Sequence, residues 1–170
     1  MNIRMIKTAA FAVFLLCFGT NAYAQSSATA TATATIVTPI TISKTTDMSF
    51  GNVAVHATNP GTVVMTPAGV RSATLGVTLP GTSGTVSAAS FTVNGQSGYT
   101  YAITLPASVA LTSGVNSMTV NAFTSTPTAI GTLASGTQTL TVGATLNVTG
   151  GQAAGVYLSS TPFTVTVNYN

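Results

Sequence analysis

Charge is what this sequence has least of. Asp, Glu, Lys and Arg make up 3% of its 170 residues, with one acidic side chain, one histidine, one cysteine and no tryptophan. Beyond residue 24 the acids and bases other than tyrosine are Lys44, Asp47, His56 and Arg71, and cysteine and glutamate are absent. Acid–base and nucleophilic catalysis need titratable groups placed together. A Ser-His-Asp set would have to use His56 and Asp47. His56, between Val55 and Ala57 and just before a turn, reads instead as a loop or strand-end residue, and Lys44 with Asp47 as a local surface pair. One histidine and one aspartate are too few for a metal site. Gly95, Gly98, Gly150, Gly151 and Gly155 follow no phosphate-binding spacing and read as turns or bulges. The expectation is a protein without catalysis, cofactor or metal. No lysine or arginine stripe exists to hold nucleic acid.

Much of the basic character belongs to the first 24 residues. Arg4 and Lys7 precede an apolar run over 9–18, and Ala22-Tyr23-Ala24 fits the small-x-small pattern before cleavage at Gln25. The run has half of the ~20 residues a spanning helix needs, so residues 1–24 read as a signal peptide that leaves no membrane span after cleavage. Cys17 lies inside this run and leaves with it. What remains is 170 − 24 = 146 residues with a net charge of 2 − 1 = +1. That length suits one domain, and without cysteine it must hold together by packing and ladder hydrogen bonds, with no disulfide.

Threonine, alanine, valine, serine and glycine fill the mature chain, in alternation rather than in helical periods. Residues 28–42 read ATATATATIVTPITI, with Ala28, Ala30, Ala32, Ala34, Ile36, Ile40 and Ile42 in one phase, interrupted only by Thr38. That is a strand's period. The isoleucines have the volume for a core, and Pro39 suits a bend or an edge. The alanines bury little area, so residues 25–35 read as an N-terminal extension, either a tail or a strand to donate, and 36–170 as the domain. Further alternating runs follow. Residues 86–93 lead into Asn94-Gly95, a hairpin signal. Tyr99, Tyr101, Ile103 and Leu105 share a face; Met118, Val120 and Ala122 share another; Leu140, Val142, Ala144, Leu146 and Val148 form a third. Phe163, Val165, Val167 and Tyr169 close the chain. Many short strands between turn signals predict an all-β antiparallel sandwich or barrel. A membrane barrel is disfavoured, because the strands fall short of the ~9–11 residues that cross a bilayer. Asn147-Val148-Thr149 is a formal glycosylation acceptor inside a predicted strand, and Leu79-Pro80-Gly81-Thr82-Ser83 reads as a turn.

Taken in order, Ile36-Val37-Thr38-Pro39-Ile40-Thr41-Ile42, Phe50-Gly51-Asn52-Val53, Phe91-Thr92-Val93-Asn94-Gly95, Tyr99-Thr100-Tyr101-Ala102-Ile103-Thr104-Leu105-Pro106, Val142-Gly143-Ala144-Thr145-Leu146 and Phe163-Thr164-Val165-Thr166-Val167-Asn168-Tyr169 resemble the bacterial domain of unknown function 4402. The resemblance implies a secreted, immunoglobulin-like β-sandwich and supplies no activity. More distantly, the closing strand with its penultimate Tyr169 is similar to that of chaperone-usher pilus subunits and spore-coat-U-type proteins. Here, though, a longer link over residues 158–162 follows Gly155-Val156-Tyr157.

The expected role is therefore an exported structural subunit of a surface or extracellular fibre, passing through the periplasm and self-associating. The distant likeness implies a periplasmic chaperone and an outer-membrane usher as partners. Ala28, Ala30, Ala32 and Ala34 are the donor-strand candidates, and Phe163, Val165, Val167 and Tyr169 the strand that would pair with a chaperone or partner. The alternative is a self-contained secreted binding module or adhesin, with Tyr99, Tyr101, Tyr157 and Phe123 as its contact candidates.

Overall fold

The computed structural model describes residues 24–170, so the expected signal peptide, apart from Ala24, lies outside the described residues. The chain divides at Thr35 and Ile36. In the first unit the described residues 24–35 carry no strand. The second unit, Ile36–Asn170, holds every strand found among the described residues and no helix.

Its elements, in order, are β1 (Thr41–Thr46), β2 (Ala54–Val55), β3 (Gly61–Met65), β4 (Arg71–Leu75), β5 (Val77–Thr78), β6 (Ala89–Asn94) and β7 (Thr100–Thr104). After these come β8 (Ser108–Ser113), β9 (Asn116–Thr126), β10 (Ile130–Thr132), β11 (Thr137–Val148), β12 (Leu158–Ser159) and β13 (Thr166–Tyr169). All pairings are antiparallel. One large sheet runs β1-β6-β11-β9-β8-β12, with β3 and β4 attached to β11. A second, smaller layer has the order β10-β7-β13, and β2 pairs with β5 apart from both. This is the all-β sandwich that the alternation predicted.

The long strand β11 organises the large sheet. Along one edge its first half, Thr137 to Val142, pairs with β6 and its second half, Ala144 to Val148, with β3, while β9 runs along the other edge. Its inward residues feed two hydrophobic clusters in turn. Leu140 and Val142 join Val93, Tyr101, Leu133, Val165 and Val167. Ala144, Leu146 and Val148 join Phe50, Val63, Met65 and Val120. Gly143 stands at the changeover, where a Cβ would run into the backbone of Met65, Thr66 and Pro67.

Three local expectations fail for identifiable reasons. Asn94-Gly95 does not close a hairpin: β6 pairs with β1 and β11, whereas β7 pairs with β10 and β13, so the turn carries the chain from one layer to the other. The alternation of β9 breaks at Ala122, which has φ 49. Between Asn121 and Thr124 the strand takes three steps while β11 takes two, from Thr145 to Gly143. This bulge flips the phase, so Ala122 faces solvent and Phe123 and Ser125 turn inward. Finally, Ile36 is 96% exposed rather than core, because β1 begins only at Thr41.

Candidate functional site

The two clusters are covered unequally. Over the first half of β11 lies the three-stranded layer, whose central strand β7 inserts the fully buried Tyr101 opposite Gly131. Over the second half the opposing layer shrinks to the two-residue pair β2–β5 and irregular chain. There a groove of about 1020 Å³ opens onto the core. Its floor is the inner face of the large sheet: Val109 and Leu111 of β8, Met118 and Val120 of β9, Leu146 and Val148 of β11. The rest of its lining comes chiefly from residues 46–55 and 152–163. Beyond Thr46, which ends β1, neither stretch holds a strand longer than two residues, and their ladder pairing is confined to β2 with β5, β12 with β8 and the Ser49–Ser87 bridge.

The groove's electrostatics are nearly blank. Its charged lining residues, Lys44 and Asp47, neutralise each other at 2.8 Å, as the local pair read from the sequence. Arg71 lies outside the lining and braces the rim, donating to the carbonyls of Phe50 and Asn52. Such a site favours an uncharged, apolar guest over an ionic ligand. His56 accepts from the backbone N–H groups of Thr58 and Asn59, both at 3.2 Å, which makes it a turn residue. Among the described residues no cluster of His, Cys, Asp or Glu has the makings of a metal site.

The closing strand packs inward on one face and leaves one edge open. Val167 of β13 is buried, as is Val165 just before it, and Phe163, which the sequence placed in this strand, lies ahead of its start at Thr166 with its ring tilted against Phe123 at a centroid distance of 5.1 Å. The β13 backbone pairs with β7, and its other edge has no ladder partner among the described residues. Ala28, Ala30, Ala32 and Ala34 lie in the segment without strands. The groove itself was not legible in the sequence, because it is made by the shortness of β2, β5 and β12, each two residues long. The only trace of it is the irregular run between Gly150 and Phe163.

Of the aromatic candidates, Tyr101 is core and donates to Gln138 Oε1 at 2.8 Å. The hydroxyl of Tyr157 accepts from the Gln152 amide and donates to the Ala153 carbonyl. Tyr99 is partly exposed at 44% and packs edge-on against Tyr169.

Burial pushes the Tyr101 phenol above its ordinary value of 10.0. The unfolded chain then ionises this group at lower pH than the native one does. Its contribution to stability is complete below about pH 10 and declines as pH rises further. Denaturant titrations on either side of that pH are expected to show a smaller alkaline loss for Tyr101→Phe than for the wild type. An unchanged loss would assign the alkaline sensitivity to other groups.

The fold and groove define an antiparallel β-sandwich with an incompletely covered core. The family model for a domain of unknown function (DUF4402) matches residues 40–169, most of the sandwich unit, and the chain belongs to that family. No curated protein and no solved structure matches it.

Proposed function

We propose that this protein is an exported structural subunit that self-associates into a surface or extracellular fibre, the groove of one copy receiving residues 28–35 of another as an added strand. The groove carries this reading: an apolar floor flanked by chain with little ladder pairing suits an added strand, whose backbone would supply affinity while its alternate side chains fill the floor. The extension supplies a matching guest, uncharged and alternating, in no strand of its own. Its eight residues extend to roughly 27 Å at ~3.4 Å each. An uncovered core is also a liability before assembly, so a periplasmic chaperone that occupies the groove, and an usher-type outer-membrane pore beyond it, fit the route to the surface. The binding-module reading has less support, because of its four aromatic candidates Tyr101 is buried, Phe123 is stacked on Phe163 and Tyr157 is hydrogen-bonded within its own loop.

Leu111, half-buried on the groove floor, offers a test that spares the fold. Leu111→Arg places an unpaired charge where the guest's apolar side chains would sit, which is costly unless the charge escapes to water. Purified mature protein is expected to form filaments visible by electron microscopy, and Leu111→Arg to reduce them by at least about tenfold, equivalent to ~1.4 kcal/mol, while melting cooperatively. Wild-type protein that remains monomeric at all concentrations, with no fibres on the native cell surface, would overturn the proposal.

A further inference from the structure

Residues 150–163 pass beside the groove as a strap tied to the large sheet by one short ladder. Strand β12 pairs Leu158 with Thr112 and Ser159 with Leu111, on the edge of β8. Directly opposed residues of an antiparallel pair lie on the same face. Leu111 and its β9 partner Met118 form part of the groove floor, so Ser159 takes the floor's face and Leu158, beside Thr112, the opposite one. Exposure follows this phase. Although all four residues border the groove, Val156 and Leu158 are 76% and 67% exposed, whereas Tyr157 and Ser159 are partly covered. The strap thus turns its polar phase to an apolar floor and its apolar phase to water.

A shift of one residue reverses both mismatches, because every side chain of a slipped strand changes face. With Tyr157 opposite Thr112, Leu158 comes opposite Leu111 and Val156 opposite Ser113, both on the floor's face. The strap travels only ~3.4 Å along β8, and two ladder residues are all that must re-form. The length has to come from the segment between β11 and β12, which then spans its gap with one residue fewer. Tyr157 draws that segment into a compact loop: its hydroxyl donates to the Ala153 carbonyl at 2.8 Å and accepts from the Gln152 amide at 2.9 Å. The Gln152 amide also reaches the Ser117 carbonyl at 3.3 Å, and its side-chain oxygen receives the Thr149 hydroxyl at 2.5 Å. Releasing Tyr157 frees the loop to extend. Beyond β12, residues 160–162 carry no ladder and take up the slack.

We infer that residues 150–163 are a lid with two registers, that Tyr157 is the positioning residue holding it open, and that in the other register Val156 and Leu158 cover the groove floor. Where the groove is the surface that assembly uses, as proposed above, the closed lid keeps an unassembled copy from exposing its core, and a guest has to find the lid open. Covering the floor favours closing. The two hydroxyl hydrogen bonds oppose it, and the net worth of each is modest, so the registers lie close in free energy.

Beyond residue 24 the chain has no cysteine, so two engineered pairs read the registers. Thr112→Cys with Leu158→Cys are opposed in the register described. Thr112→Cys with Tyr157→Cys are opposed only after the shift and otherwise point to different faces, a geometry that no disulfide spans. Mature protein carrying each pair is oxidised with glutathione disulfide, and both bridges are expected to form. Absence of the second bridge would overturn the lid. Fluorescence of anilinonaphthalenesulfonate, which reports open apolar surface, is expected to fall at least about threefold when the second pair is oxidised and to change little with the first. Equal fluorescence from the two locked proteins would overturn the lid as well.

Tyr157→Phe tests the same shift without cysteines. It keeps the ring and removes both hydroxyl bonds, so dye fluorescence is expected to fall by about twofold, whereas a merely loosened strap would raise it. A rise, or no change, would remove Tyr157 from the positioning role. Assembly is read separately by light scattering. Protein locked by the second pair is expected to assemble only after reduction; loss of dye binding with assembly unchanged would keep the lid and overturn the groove as the assembly surface.

Discussion

Deleting residues 25–35 from the mature protein is expected to abolish filament formation and leave a folded monomer. The Ile36–Asn170 unit contains every strand among the described residues and both hydrophobic clusters, so its folding is not expected to depend on the deleted residues. What disappears, on the proposed function, is the guest strand, whose alternate alanines would face the floor and whose threonines would point outward. Because strand side chains alternate faces, single charges resolve the two sides. On the proposed function Ala32→Asp would bring a carboxylate to the apolar floor, and burying an unpaired charge is expensive, so assembly should fall by roughly a hundredfold or more. Thr31→Asp, one residue away on the opposite face, should change it by less than about threefold. Light scattering during assembly reads both. Equal effects of the two substitutions would show that the extension does not enter as a strand, and filaments formed by the deleted protein would show that another surface joins the copies.

Tyr101→Ala is expected to be the most damaging single truncation in the sandwich, costing about 3–5 kcal/mol, the usual range for removing a large buried aromatic. The ring is fully buried in the centre of β10-β7-β13 and lies over Gly131 on the neighbouring strand, where any Cβ would collide with it. The hydroxyl donates to Gln138 Oε1, which also receives the backbone N–H of Thr132 at 2.9 Å. Truncation leaves a cavity between the two layers and loosens the link between β10 and β11. Urea denaturation should show the midpoint falling sharply, and by much less for Tyr101→Phe, which keeps the ring. A loss for Tyr101→Ala below about 1 kcal/mol would mean that the layer collapses around the gap. Since domains of this size carry only about 5–15 kcal/mol of net stability, the variant is expected to lie close to its folding threshold.

Much of this architecture was visible in the alternation of apolar and hydroxyl residues. Leu140 to Val148 and Val165 to Val167 fall on buried faces as their spacing predicts, because a two-residue period has only one phase that hides its large side chains. The expected face of β9 was right for Met118 and Val120 and wrong for Ala122. A single inserted residue resets the phase without altering composition, and nothing in Asn121-Ala122-Phe123 announces it. Asn94-Gly95 signalled a turn correctly and its partners wrongly, because turn chemistry is local and the choice between hairpin and crossover belongs to the sheets that the two strands join.

For the extension, too, sequence and structure divide the information. The sequence by itself determined that this is a charge-poor, alternating, all-β chain with an N-terminal segment of small side chains, since side-chain size and period are properties of each residue in its place. Only the tertiary structure decided that the core is left open at one end and that Thr38 is tied down towards the other by Tyr169 and Gln96. The physical reason is that an open groove is a property of strands that stop short in three separate parts of the chain. The placing of Thr38 depends likewise on hydrogen bonds between residues 58 and 131 positions apart.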